Sequence, residues 1–540
     1  MKSLSILLVS CCLMLGTLLS GCSPEASTPQ GDAAKKETAA KILMYNNVRE
    51  PTSLDPPVGF DMASYDILNN MMEGLTRLGK NQTPEPAMAR EWKISPDGRT
   101  VTFLLREGIK WSNGDPVKAS DFEFAWKKLL DPKQPSQAAP LAYVIEGGEA
   151  FHAGRGTADG VRVKAVDDKT LQVTLTRPAS WLISMAANPA FFPVHRATVE
   201  KNPKWAAEAA TILSNGPFKL AEWKHDAELK LVRNEHYWDA ANVKLDGVTF
   251  KMVNDSNTEY QLFQSGELHI SMVPPDLSEK LFAENKARVE DSAGTYFYRF
   301  NTKMPPFDNA SIRRAFLLAV DSQKIVDLVT KQKQKPAAGF VSYGLKGPDG
   351  RDFRESGGRL VTFDAAEARK LLAKGMAEAG YAKLPEVTLT YNTNDLHQKI
   401  AQTLQAMFKE NLGVDVKLAN KESKVLTAEQ KALQLQMSRS SFLPDFADPI
   451  NFLDGYQTGN PMNRTGWSSA KYDGLIQSAY KETDEKKRFA LLHEAEKLLI
   501  EEAPILPIYF YSSTYLQSDK VTDIVRHTYG YIDFKWADMK

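Results

Sequence analysis

Residues 90–126 read REWKISPDGRTVTFLLREGIKWSNGDPVKASDFEFAW. Trp92-Lys93-Ile94 and the apolar run over 100–105 flank Pro96-Asp97-Gly98, which is the pattern of a β-hairpin. Val101, Phe103 and Leu105 alternate onto one face. Asn113-Gly114-Asp115-Pro116 makes a second turn. Ser120-Asp121-Phe122-Glu123 has the form of a capping box, in which the Ser hydroxyl and the Glu carboxylate serve the first free N–H groups of a helix. That helix should bury Phe122, Trp126, Leu129 and Leu130, and Asp131-Pro132 should stop it.

Working outward, residues 161–175 form an alternating hairpin around Asp167-Asp168. Residues 364–380 spell a helix, with Asp364 and Glu367 as a capping pair and Gly380 as its stop. Val387-Thr388-Leu389-Thr390-Tyr391 is a strand, Asp395 caps a helix that runs to Gly413, and 414–418 is the next strand. Strand–helix–strand of this length implies a parallel pair and an α/β lobe. Ligands in such lobes sit at the carboxyl ends of the strands. Both the turn after Tyr391, which contains His397, and the strip 439–445 are placed for that. Residues 472–499 read as helix, and Pro504-Ile505-Leu506-Pro507-Ile508-Tyr509 as a buried strand crossing back.

Upstream, Ile42-Leu43-Met44-Tyr45 is strand-like and Ser53-Leu54-Asp55-Pro56-Pro57 turns the chain. Apolar residues over 65–75 have helical spacing. Gly74-Leu75-Thr76-Arg77-Leu78-Gly79-Lys80-Asn81 nearly matches a phosphate loop. It carries Asn81 where the metal-binding Ser or Thr belongs, and it lies at a helix end rather than between strand and helix, so it reads as a helix end and turn.

The N-terminus has the form of an export signal. Lys2 is followed by an apolar run over 4–19, too short to span a membrane, and then by Leu19-Ser20-Gly21-Cys22. The last four residues resemble the lipobox of bacterial lipoproteins, in which the Cys is acylated and becomes the new first residue. The expected organisation is a signal peptide over 1–21 and a flexible, lipid-anchored tether over 22–41, polar and without apolar period. Cys11 and Cys12 lie in the discarded run, so the mature chain has neither a disulfide nor a thiolate metal site.

A chain of 540 residues exceeds what one core serves, so two or three domains are expected. Lys plus Arg and Asp plus Glu both number 67, which argues against a nucleic-acid binder.

Ser438-Arg439-Ser440-Ser441-Phe442-Leu443-Pro444-Asp445-Phe446-Ala447-Asp448-Pro449 places a cation, an aromatic ring and carboxylates in one short segment. Pro444 and Pro449 forbid a continuous helix. An extended backbone here can pair with another extended chain, and a carboxylate such as Asp445 can hold an ammonium group, so the strip reads as the floor of a peptide cleft. On its own, an Asp after Pro is more often a turn residue. Arg439 also fits an ordinary ion pair, His397 a polar residue in a helix's first turn, and Phe442 simple core packing.

The run 90–126 looks like the signature of the bacterial extracellular solute-binding proteins of the oligopeptide class. Further pieces follow in order: Ser214-Asn215-Gly216-Pro217-Phe218 with Trp223, Gln261 through Leu268 (QLFQSGEL), Phe300-Asn301-Thr302 with Pro306-Phe307, and Ile312-Arg313-Arg314-Ala315. The resemblance implies a type II periplasmic-binding-protein-like fold, two α/β lobes with a hinge plus a third smaller domain. Lobe I would comprise 42–72, 195–293 and 512–540, the extra domain 73–194, and lobe III 294–511.

The resemblance also implies a monomeric, lipid-anchored receptor on the extracellular face of a Gram-positive type membrane. It would deliver peptides to an ABC permease, would use no cofactor and would not be an enzyme. By resemblance Asp445 meets the peptide's α-amino group, and Arg439 and His397 its carboxylate end. Phe442 lines the cleft. Backbone contacts come from Ser440, Ser441 and Leu443, and from Phe60, Asp61 and Met62 across the gap. Ser423 stands where relatives have Trp, Arg299 where some carry Glu, and Met272-Val273-Pro274-Pro275 replaces a more polar turn, so side-chain preference is open. Relatives that carry nickel, haem, cell-wall peptides or signalling peptides are the alternatives. A secreted hydrolase is disfavoured, because His493-Glu494-Ala495-Glu496-Lys497 lacks the second His of a zinc protease and no G-x-S-x-G occurs.

Overall fold

The hairpin around Pro96-Asp97-Gly98 is present in the computed structural model, which describes residues 40–134 and 136–540. The leader, Cys22 and residues 23–39 of the tether lie outside the described residues. Strands Ala89–Ile94 and Thr100–Leu105 pair antiparallel, and Val101, Phe103 and Leu105 point into the core. Thr170–Thr174 and Val163–Asp167 complete a four-stranded antiparallel sheet.

The helix packed on this sheet is Ala119–Leu129, and Phe122, Trp126, Leu129 and Leu130 are all buried. Burial of side chains this size stabilises by about 1.5–3 kcal/mol each. The helix begins earlier than the Ser120–Glu123 box predicts. The Asp121 carboxylate accepts from the Lys118 N–H at 3.0 Å and from the indole N–H of buried Trp111 at 3.1 Å. It thus serves the helix start and an otherwise orphaned indole together. Glu123 instead accepts from Lys127 Nζ and the Ala165 N–H, tying helix to sheet.

A second sheet orders Ile42–Asn46, Gly247–Lys251, Glu228–Arg233 and Phe218–Lys224, with the first pair parallel. The third, seven-stranded sheet orders Ile270–Met272, Ile505–Gln517, Arg288–Phe300, Met437–Phe442, Val387–Asn392 and Val416–Lys421, with Lys335–Pro336 also on Ile505–Gln517. Val387–Asn392 and Val416–Lys421 are parallel and joined by helix Asp395–Leu412, the α/β unit expected.

Several boundaries differ from expectation. Asn394 caps the Asp395–Leu412 helix, its Oδ1 accepting from the His397 N–H at 3.1 Å. Gly413, at φ 71°, ends that helix, and the following strand starts only at Val416. Residues 472–499 are two helices, Ala470–Lys481 and Glu485–Glu502, because Asp484 caps the second through the Lys486 and Lys487 N–H groups. The first helix is Met62–Met71, and Gly74 and Leu75 precede a small hairpin, Thr76–Leu78 with Pro84–Pro86, that takes up the rest of the phosphate-loop lookalike.

Two long strands, Arg288–Phe300 and Ile505–Gln517, run antiparallel through the molecule, and their register shifts between Asp291 and Thr295. Gly294 lies in that shift at φ 143°, and a Cβ there would come within 2.7 Å of the Phe442 carbonyl oxygen. Only glycine fits such a conformation and approach.

Candidate functional site

The Met437–Phe442 strand is paired along its whole length on one edge, from Phe300 opposite Met437 to Thr295 opposite Phe442. On the other edge the parallel strand Val387–Asn392 reaches only Met437 and Ser438. After Asn392 that chain turns into the helix capped by Asn394. Residues 439–442 therefore present a backbone edge with no strand neighbour among the described residues. The Arg439 carbonyl accepts from Gln430 Nε2 at 2.9 Å. The remaining edge groups need partners from water or a ligand.

Alternation divides the side chains of this strand between two faces. Arg439 lies 4.7 Å over the Tyr296 ring, with Nη contacts of 3.5 Å to Asn392 Oδ1 and the Tyr511 hydroxyl. Its buried Nε has no partner and it pairs with no carboxylate among the described residues. His397 packs against the same Tyr296, their rings 5.5 Å apart and Nδ1 3.2 Å from the hydroxyl. Burial, then the Arg439 charge, push its imidazole down to about 4. His397 is thus neutral at physiological pH and offers a hydrogen bond. On the other face, Phe442 packs against Phe452 at 4.8 Å and Phe340 at 6.0 Å, and Ser440 Oγ accepts from Arg299 Nε at 3.2 Å. Ser441 and Leu443 are exposed.

Asp445 is held through its backbone. Its N–H donates to Asn451 Oδ1 at 2.7 Å, and its carbonyl accepts from Asn188 Nδ2 at 3.0 Å. Trp181 stacks on Phe446 beside it. The Asp445 carboxylate itself is partly buried and has no cation or donor among the described residues. Burial alone pushes it up to about 6. Burial and, second, this Asp445 charge raise the Tyr65 hydroxyl of helix Met62–Met71, which is itself buried without a partner.

Phe60 meets Tyr65 edge-on at 6.0 Å, so it joins this neighbourhood. Asp61 is committed to capping its helix and to Thr52 and Ser64. Met62 lies against Gly530. Tyr65, Tyr296 and Asn188 carry no site signal in their own segments, and only long-range contacts bring them to Asp445 or Arg439. His493 of the protease-like motif stacks on Phe353 at 3.9 Å. Among the described residues no three His, Cys, Asp or Glu side chains group as a metal site, and no helix is long and apolar enough to cross a membrane.

The bacterial extracellular solute-binding proteins of family 5 are matched over residues 83–464. The dipeptide-binding protein DppE of Bacillus subtilis is 54% identical over 528 residues, 97% of either chain. The unliganded open form of the periplasmic murein tripeptide binding protein MppA superposes with TM-score 0.82 at 30% identity, covering 93% of this chain and 98% of that one. Peptide-bound OppA of Listeria monocytogenes superposes at 0.72 and 30% identity, covering 93% and 100%. The fold is that of type II periplasmic binding proteins, and the TM-score is higher to unliganded open MppA than to peptide-bound OppA.

Proposed function

From the premise that the chain belongs to the bacterial extracellular solute-binding proteins of family 5, we propose that it is the peptide receptor of an ABC importer. It takes an oligopeptide between its lobes and hands it to a membrane permease. The observation that carries this reading is the open 439–442 edge, flanked by an unpaired guanidinium at Arg439 and an unpaired carboxylate at Asp445. An extended peptide adds to such an edge as a strand, through main-chain groups that every sequence shares. Asp445 holds the α-ammonium group, and Arg439 with the imidazole N–H of His397 meets the carboxylate end. Phe442 lines the cleft, and Ser440, Ser441 and Leu443 supply backbone contacts. Phe60, Asp61 and Met62 approach from the other side.

Lobe I comprises 42–72, 195–293 and 512–540, the extra domain 73–194, and lobe III 294–511. They close by bending near the Asp291–Thr295 register shift, a motion favoured when the ligand contacts both sides. The mature protein is a monomer anchored at the extracellular face of the cell membrane through an acylated Cys22. It binds its ligand and does not turn it over.

Calorimetric titration with a tripeptide tests the reading. Asp445→Asn is expected to weaken binding at least tenfold, because the ammonium loses its counter-ion. Unchanged affinity would remove Asp445 from the site. No binding of any di- to pentapeptide by the wild-type protein would overturn the receptor reading.

A further inference from the structure

Arg299 is buried, with 6% of its surface exposed, and faces no carboxylate among the described residues. Its other buried counterparts are compensated. Arg77 meets Glu73 and Asp533, Arg354 meets Glu496, Arg488 meets Asp448, and Arg313 is capped by the carbonyls of Glu502 and Phe307. Arg299 has only Ser440 Oγ at 3.2 Å and the Met462 carbonyl at 3.3 Å, between the rings of Phe297 and Tyr456.

A second guanidinium shares that corner. Arg464 Nη2 lies 4.0 Å from Met462 Sδ, and its buried Nε has no partner. Burial and the charge of Arg299 lower its affinity for its proton. The Tyr456 hydroxyl, buried beside both guanidiniums, belongs to the same cluster. Two like charges withdrawn from water in one corner are costly unless an anion comes between them. Planar guanidiniums suit a carboxylate in particular, which each can bind through paired N–H groups.

The corner adjoins the strip already described. Ser440, which carries the Arg299 contact, belongs to the open edge, on the face away from Arg439. We propose that Arg299 and Arg464 form a subsite for a side-chain carboxylate of the bound peptide, so that this receptor selects acidic peptides. This inference rests on the peptide-receptor reading. It assigns Arg299 and Arg464 a role separate from Arg439, which faces the peptide's terminal carboxylate.

Calorimetry with C-terminally amidated tripeptides tests it, with Glu or Gln placed in turn at each position of an Ala background. At one position Glu is expected to bind at least tenfold more tightly than Gln. Arg464→Gln should shrink that advantage to threefold or less while leaving the Gln peptide within twofold. Arg464 is partly exposed, so this variant tests the subsite even where Arg299→Gln fails to fold. The inference is overturned if Glu and Gln bind alike at every position, or if the preference survives in Arg464→Gln. It is also overturned if the preference appears only with a free carboxyl terminus, which would make the pair a reader of the chain end. If none of these peptides, amidated or free, binds the wild-type protein, the receptor reading falls as well. Retained binding without a Glu preference removes the subsite alone.

Discussion

Asp448 grips Arg488 with both carboxylate oxygens, at 2.7 and 2.8 Å, and both side chains are buried. Asp445, three residues earlier on the same Pro-bounded segment, has no such partner among the described residues. The two carboxylates thus differ in kind, one closing the fold and the other without a cation among the described residues. Arg488→Met would leave Asp448 buried and unpaired, which should cost about 3–5 kcal/mol of stability. Urea denaturation should show that loss, with tripeptide affinity of the folded protein changed less than threefold. A variant as stable as the wild type would remove Asp448 from its structural role.

The Asp445 carboxyl makes a pH-dependent prediction. Its folded-state pKa is raised from the ordinary 3.8 to about 6. A raised acid contributes stability that is fully present below 3.8 and lost as pH rises through 6, so ionised Asp445 weakens the free protein by about 3 kcal/mol at most. Asp445→Asn should therefore raise the melting temperature at pH 7.5 and leave it unchanged below pH 4.

Peptide binding should run the other way. An ammonium group beside Asp445 favours its ionised form, so affinity should climb as pH rises towards 6, level off above it, and be accompanied by proton release near pH 6. Calorimetry in buffers of different ionisation enthalpy reads that proton directly. A flat profile between pH 5 and 7 would mean that no ammonium group meets this carboxylate.

Gly294 joins the register shift to the strip. At φ 143°, with a would-be Cβ 2.6 Å from Leu443 Cδ2 and 2.7 Å from the Phe442 carbonyl oxygen, it has no room for a side chain. Gly294→Ala should cost about 1–3 kcal/mol through backbone strain alone. It should also weaken peptide binding by displacing Phe442 and Leu443. Denaturation and titration curves that overlay those of the wild type would contradict this.

Local order was legible wherever a short window carries its own cause. Pro96-Asp97-Gly98 turned a hairpin as read, and the buried faces of Thr100–Leu105 and Ala119–Leu129 followed from spacing. Helix starts were less legible, since caps compete within a few residues: Asn394 against Asp395, Asp121 against Ser120 and Glu123. The break at Asp484 comes from its carboxylate, which accepts from the Lys486 and Lys487 N–H groups, a cap that an apolar pattern does not register.

By itself the sequence determined the α/β class and the family, because periodicity, turn residues and ordered motifs are properties of neighbours along a chain. Tertiary structure alone decided which charges in and around the strip 438–449 are spent. Asp448 is neutralised by a residue 40 positions away. His397 loses its proton to burial and to Arg439. Arg299 acquires Arg464 instead of an acid. Electrostatic compensation acts through space in a poorly polarisable interior, and a sequence does not say which charges will meet there.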